Sequence, residues 1–306
     1  ALAASIGAAL APTLPVLLGA RFLQGLGSGA CVVLARSIIP DITSGVAAAK
    51  AFSWMGIISG IAPAAAPVLG SLLVSSLGWR GIFYVLAGIA AAQLLVALFV
   101  IPETRPPANR TPLSFGSFPS VIKEPVFVRY ALVVGFGFAS MFAYISASSF
   151  VMQEIMGLSP QIFALVFGTN ALGLMVGGAL NTRLLDRFPA AAILKIALII
   201  MTVAATIVLV CALTGLPRIP FFLALFFAVM PLSLVMGNAT ALAVAAVRTR
   251  AGSASSVMGF GQFLLAGLVS PLVGMVGGSQ AVGMGVCMVG AAVVAVMMFV
   301  LARRAD

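Results

Sequence analysis

Apolar runs of about 20 residues, each bounded by Pro, Gly or charge, follow one another from Ala1 almost to Asp306. Runs of that length suit helices crossing a hydrocarbon core roughly 30 Å thick, whereas the strands of a membrane barrel would alternate over about 10 residues. The pattern predicts a partial span from Ala1 to Ala11. Nine complete spans follow, near Leu14 to Ile39, Ala48 to Leu77, Gly81 to Ile101, Phe127 to Val151, Gln161 to Thr182, Ala190 to Leu213, Phe221 to Val247, Ser253 to Val276 and Ala281 to Ala302. Most linkers are short. The exception, Pro102 to Pro125, carries prolines at 102, 106, 107, 112, 119 and 125, which oppose a continuous helix. It divides the chain into a first bundle, 1–101, a cytoplasmic linker, 102–126, and a second bundle, 127–306. Within the linker, Leu113 to Ile122 mixes apolar residues with Ser, so it reads either as a helix on the membrane surface or as a solvated tether.

Composition strengthens the membrane reading. The chain is 62% hydrophobic and 7% charged, with a mean hydropathy of +1.24, against roughly 25% charged in ordinary soluble domains. Lipid can surround that much apolar surface, provided each helix satisfies its own backbone hydrogen bonds. The expected class is all-α and polytopic, with the lipid bilayer as solvent.

The net charge of +10 does not point to nucleic acid, because the basic residues lie in short loops instead of clustering on one face. Threading the spans alternately sorts them. Of the 16 Lys and Arg, Arg80 and Arg218 fall on one side, Arg21 falls inside a span, and the rest share the opposite side. Since cytoplasmic loops hold the excess of Lys and Arg, that side is the cytoplasm and the C-terminus is expected there. Cys31, Cys211 and Cys287 lie singly in apolar segments, which predicts buried packing thiols and neither a zinc site nor a disulfide framework. The sequence has no His, so histidine triads, imidazole metal sites and histidine proton relays are excluded, and no metal is expected. A membrane enzyme would need clustered acids or a nucleophile with a base, and neither is present.

A shift of 204 residues lays Pro67-Val68-Leu69-Gly70 on Pro271-Leu272-Val273-Gly274 and aligns four helices in parallel orientation. A two-fold repeat is a common transporter architecture. The region from Phe127 to Ala204 then has no N-terminal counterpart. The expectation is that two helices and half a third, on the order of 80 residues, precede Ala1 in a complete protein of twelve spans.

Two spans carry candidate chemistry. Arg21-Phe22-Leu23-Gln24-Gly25-Leu26-Gly27 puts a guanidinium about 8 residues, or roughly 12 Å of helix, inside a span. A charge at that depth needs a partner or a wet cavity, and Gln24 lies one turn away on the same face. The stretch Gly56 to Gly70 concentrates small residues, with Gly56 and Gly60 at close-packing spacing and Pro63 and Pro67 favouring a bend.

These residues resemble two motifs of the major facilitator superfamily. Arg21, Gln24, Gly25 and Gly27 are similar to its motif B on the fourth helix; Gly56, Gly60, Pro63, Pro67 and Gly70 are similar to motif C of its antiporters on the fifth. Arg36 and Asp41, Trp79-Arg80-x-Ile82-Phe83 and Pro102-Glu103-Thr104 together resemble the bicyclomycin and chloramphenicol resistance branch of drug:proton antiporters. The resemblance implies two pseudo-symmetric six-helix bundles in a bacterial cytoplasmic membrane, exporting drug-like small molecules against entering protons by alternating access. It implies no cofactor beyond the proton gradient, and a monomer. Arg21 would communicate with a protonatable acid, and the motif C residues would form a hinge and seal. Asn181, Arg183, Asp186 and Arg187 resemble a degenerate cytoplasmic motif A, with Pro189 where a glycine is usual, so Arg36, Asp41, Arg183, Asp186 and Arg187 are the expected gate.

Proton coupling requires a carboxyl whose pKa burial and a neighbouring charge can move. Asp41, Glu103, Glu124, Asp186 and Asp306 read as cytoplasmic and Glu154 as lying near the outer end of its span, so the carrier acid is expected on a helix preceding Ala1, with Glu154 as a substitute. Polar residues inside spans nominate Gln24, Asn170, Asn238 and Gln262 for a midplane substrate cavity, with Met141, Phe142 and Tyr144 as apolar contacts. Interhelical hydrogen bonding is the competing role for each. The competing functions are a metabolite carrier of the same fold and an inactive fragment.

Overall fold

The computed structural model describes residues 1–42, 45–103, 121–247, 251–276 and 278–304, without the side chains at 33, 36, 37, 39–41, 45–65, 67, 68, 71, 251 and 252. Every regular element among them is helical. The chain divides into two compact units, Ala1–Pro112 and Leu113–Asp306. Seven helical stretches among the described residues are long and apolar enough to cross a membrane, from Leu72–Phe99 to Gln280–Arg303.

Unit 1 consists of α1 (Leu2–Ala9), α2 (Leu14–Ile42) and α3 (Gly45–Phe99). The last is a pair of helices that meet at Gly78, whose φ of 67° and ψ of 179° are not helical and suit only a residue without a Cβ. The two spans expected on either side of Gly78 are thus two helices. Helix α1 packs against both α2 and α3, and Arg80, just past the bend, donates from Nη2 to the carbonyl of Ala11 at 3.0 Å. Its guanidinium also lies 4.1 Å from the ring centre of Trp79. On one face of α2, Leu18, Phe22 and Leu26 are all exposed. Cys31 lies exposed on α2 as well, contrary to its expected burial, since no described side chain of unit 1 covers it.

Unit 2 contains α4 (Pro125–Ser149), which continues into a π-helical turn (Phe150–Ile155), then α5 (Pro160–Leu185), α6 (Ala190–Leu213), α7 (Arg218–Val229), α8 (Leu232–Ala246), α9 (Ala251–Met275) and α10 (Gln280–Arg303). Ser159 and Ser279 cap α5 and α10, accepting from the N–H groups of Ile162 and Val282 at 3.3 Å each. The π-turn carries the first span past its expected end at Val151. There the N–H of Met156 donates to Val151 O, five residues back, at 3.0 Å.

The single span expected from Phe221 to Val247 is one stretch long and apolar enough to cross a membrane, Arg218–Ala246, built of two helical segments. Pro231 has no N–H to donate one turn back, and the chain turns at Met230–Pro231 before α8 begins. The break is braced twice. Ser233 Oγ donates to Met230 O at 3.1 Å. Gly177 of α5 presses against the same carbonyl so closely that a Cβ there would lie 2.5 Å from it. Lipid removes most of the hydrophobic drive for helix association, so close approach through small residues takes its place. Two buried clusters fill the ends of the bundle, one around Met152, Phe163, Phe221 and Met284, the other around Phe127, Leu194, Met201 and Phe299.

Candidate functional site

Arg21 of α2 sits in a built polar link. Arg21 Nη1 donates to Gln24 Oε1 at 2.5 Å, and Gln24 Nε2 donates across to Ser5 Oγ on α1 at 2.6 Å. Ser5 is 1% exposed and Gln24 7%, so the chain of contacts is dry at its α1 end. The guanidinium itself is exposed within unit 1 and lies 5.7 Å from the ring centre of Phe83 on α3. Three helices therefore fix one cation: α2 carries it, α1 anchors its amide partner, and α3 supplies an aromatic face. The spacing of Arg21 and Gln24 announced their pairing, whereas Ser5 and Phe83 carry no sequence signal for it.

Of the other sequence candidates in unit 1, Gly25 is exposed on α2 with open space around its Cα, and Gly70 is half-buried. The side chains of Arg36, Asp41, Gly56, Gly60, Pro63 and Pro67 lie outside the described residues.

In unit 2 the cavity nominees separate into two groups. Asn170 Nδ2 donates to Tyr144 Oη at 2.9 Å, and the Tyr144 ring stacks on Phe167 with centres 5.7 Å apart. Asn238 Nδ2 donates to Asn181 Oδ1 at 2.6 Å and to Leu234 O at 2.8 Å. Tyr144, Asn170 and Asn238 are all buried, and they are enclosed by helix packing where a cavity lining was expected. Met141, Phe142 and Gln262 are half-buried and remain open to the surface of the unit.

Among the described residues the expected gate of unit 2 is not assembled. Arg183 occupies the last turn of α5 and Asp186 its C-cap, but both are exposed with Arg187, and no ion pair joins these three to any described residue. Asp186 keeps right-handed helical angles at the C-cap, and the turn after it closes with the N–H groups of Arg187 and Phe188 on Leu184 O at 3.0 and 2.8 Å. The contact that does tie α5 to α8 at this level is the neutral Asn181–Asn238 pair. Among the described residues no cluster of His, Cys, Asp and Glu could hold a metal. An open groove between α6 and α7, walled by Ile199, Val203, Leu223 and Phe227, is wholly apolar and suited to contact with hydrocarbon.

The chain is a polytopic helical bundle with a braced cation on α2 and a span interrupted at Pro231. The chain belongs to the Major Facilitator Superfamily, whose family model matches residues 1–271. It is 35% identical over 301 residues to the MFS-type transporter YdgK of Bacillus subtilis, covering 96% of this chain and 75% of that protein. It is 29% identical over 257 residues to a bicyclomycin resistance protein homologue of Haemophilus influenzae, spanning 83% of this chain and 65% of that one. Over 168 residues it is 31% identical to the multidrug resistance protein MdtL of Escherichia coli, covering 55% of this chain and 43% of MdtL. In structure it resembles a bacterial homologue of the human lysosomal transporter Spinster, solved inward-facing and unoccupied, with a TM-score of 0.71 at 20% identity, covering 98% of this chain and 81% of that one. The human organic anion transporter MFSD10 follows with a TM-score of 0.65 at 18% identity, covering 98% and 74%. The chain is thus a multi-pass membrane transporter with the fold of that superfamily.

Proposed function

We propose that this transporter exports drug-like small molecules across the bacterial cytoplasmic membrane by proton antiport, as a member of the bicyclomycin and chloramphenicol resistance branch. The observation that carries the reading is Arg21, a permanent cation inside a span, held by Gln24 and Ser5 and faced by Phe83. A fixed positive charge in a low-dielectric setting favours the ionised form of a carboxyl brought beside it and so expels its proton. Moving that carboxyl away restores the proton. An alternating-access cycle that changes their separation couples proton flow to transport. The names of the relatives, bicyclomycin resistance and multidrug resistance, support export over uptake.

In this reading Gly56, Gly60, Pro63, Pro67 and Gly70 form the hinge and seal, and Arg36, Asp41, Arg183, Asp186 and Arg187 meet only in one state of the cycle. The protein acts as a monomer, with no cofactor beyond the proton gradient and with its C-terminus in the cytoplasm. Expression of the complete gene in an efflux-deficient bacterium tests the proposal directly. Raised resistance, with export that stops when a protonophore collapses the gradient, is the expected result. Sensitivity unchanged across a broad drug panel would overturn it.

A further inference from the structure

Helices α1 and α2 meet along a line of three contacts that run in opposite order on the two chains, so the pair is antiparallel. At one end a Cβ on Gly27 would lie 2.4 Å from the backbone nitrogen of Ala1, and no larger residue fits there. At the other a Cβ on Gly7 would come to 3.8 Å from Ala20 Cβ, an ordinary contact. Between them Ser5 stands opposite Gln24, both buried, with the Gln24 amide donating to the Ser5 hydroxyl. Close backbone approach thus sets the register that delivers a hydroxyl to an amide. Ser5 is the one polar side chain on α1.

That hydroxyl decides which way the amide points. A glutamine amide has a donating and an accepting end, and only the accepting end can serve a guanidinium. Ser5 Oγ takes the Nε2 donor at 2.6 Å, which leaves Oε1 aimed at Arg21 Nη1 at 2.5 Å. Without the hydroxyl, Nε2 would be a buried donor lacking its partner, a penalty that favours another rotamer of Gln24. The accepting end would move with it. The ring of Phe83, 5.7 Å from the guanidinium carbon, attracts the cation but does not fix its rotation. The directional hold on Arg21 therefore begins at Ser5, two contacts away on a different helix.

We propose that Ser5 is a positioning residue for Arg21: through Gln24 its hydroxyl holds the guanidinium in one orientation, ready for the carboxyl that antiport brings beside it. A planar guanidinium pairs best with a carboxylate along one edge of its fork, so orientation matters as well as distance. This inference rests on the antiport reading above and adds to it the residue that aims the charge.

The test is solid-state NMR of the full-length protein, labelled with nitrogen-15 arginine, in lipid nanodiscs. A held guanidinium gives two distinct Nη signals, and one free to rotate gives a merged pair. The Arg21 pair, assigned by its disappearance in Arg21→Lys, should be distinct in the wild type and merged in Ser5→Ala. Gln24→Met cuts the same link at its centre and should merge the pair too, whereas Gly7→Ala, a packing change on the same helix, should leave it distinct. In transport, Ser5→Ala should lower the rate of proton-driven export roughly three- to tenfold, the range one buried hydrogen bond is worth, with the apparent affinity for substrate unchanged. A merged pair in the wild type, or a distinct pair and full export rate in Ser5→Ala, would overturn the positioning role. Failure of the antiport reading is separately visible: signals that behave as expected in a protein whose export ignores a protonophore remove antiport and leave Ser5 holding Arg21. Protonophore-sensitive export that Ser5→Ala does not slow does the reverse.

Discussion

The two units solve the problem of polar groups in lipid in opposite ways. In unit 1 the polar link ends in a charge: Ser5 and Gln24 are buried, but they serve a guanidinium that stays exposed. In unit 2 the polar pairs are neutral and closed, with Asn170 on Tyr144, Asn238 on Asn181, and Ser140 Oγ donating to Met288 O at 3.1 Å. A neutral pair with its hydrogen bonds satisfied fixes the register of two helices and has little left for a ligand. A braced but open cation fixes less and retains unused donors. Under the proposed mechanism the difference is a division in which unit 1 holds the charge that transport works on, while the pairs of unit 2 hold helices together.

Substitution at Arg21 should give the largest effect and the sharpest break. Arg21→Ala removes the charge and leaves Gln24 free to keep its bond to Ser5. Proton-driven export should fall to the level of cells lacking the transporter, while membrane insertion and thermal stability in detergent stay near wild type. Stability lost together with export would erase the division, because Arg21 would then be a structural residue like the amides of unit 2.

The brace at the broken span comes next, and it acts on stability. Gly177→Val places branched carbon against Met230 O and Ser233, where even a single Cβ has no room. Backbone must move, at a cost of about 1–3 kcal/mol, read as a lower midpoint of unfolding in detergent. An unchanged midpoint would show that α5 can slide on the break freely, and that this contact does not set the register of α5 on α7 and α8.

These contacts mark how far the sequence could be read. The helical class and most span limits follow from run length and bounding residues; Ala190–Leu213 was legible to the residue because Pro189 precedes it and Thr214-Gly215 follows. The break at Pro231 was legible in principle. Apolar residues run through it unbroken, however, and periodicity cannot separate one long helix from two stacked ones. Pairing within one helix turn, as in Arg21 and Gln24, is a matter of spacing. Partners on another helix, such as Ser5 for Gln24, depend on where two helices cross, which no spacing rule encodes. For the same reason Tyr144, Asn170 and Asn238 could not be told from cavity-lining residues until the helices were placed around them.

A smaller effect is expected at the Asn181–Asn238 pair. Asn238→Leu fills the same space but leaves Asn181 Oδ1 without its donor inside the bundle, at about 1–2 kcal/mol. The coupling can be isolated with Asn181→Leu and the double variant, because the two residues touch. If the pair clasps α5 to α8, the double variant should be more stable than the sum of the two single losses implies. Additive losses would mean that each amide acts through other neighbours.

Tyr144→Phe should give the smallest change and the finest discrimination. It deletes one oxygen, keeps the ring stacked on Phe167, and leaves Asn170 Nδ2 without its acceptor. Interhelical hydrogen bonds of this kind average about 0.6 kcal/mol, because the separated helices in lipid find other partners. The unfolding midpoint should therefore move only slightly, and export of a good substrate should keep its rate and apparent affinity. Tyr144 is buried in the bundle, so it can influence a ligand only by holding α4 and α5 in place. A large loss of export at unchanged stability would mean that its hydroxyl reaches substrate in another state of the cycle. The closed pairs of unit 2 would then have to open during transport, and the contrast between the two units would hold for one conformation alone.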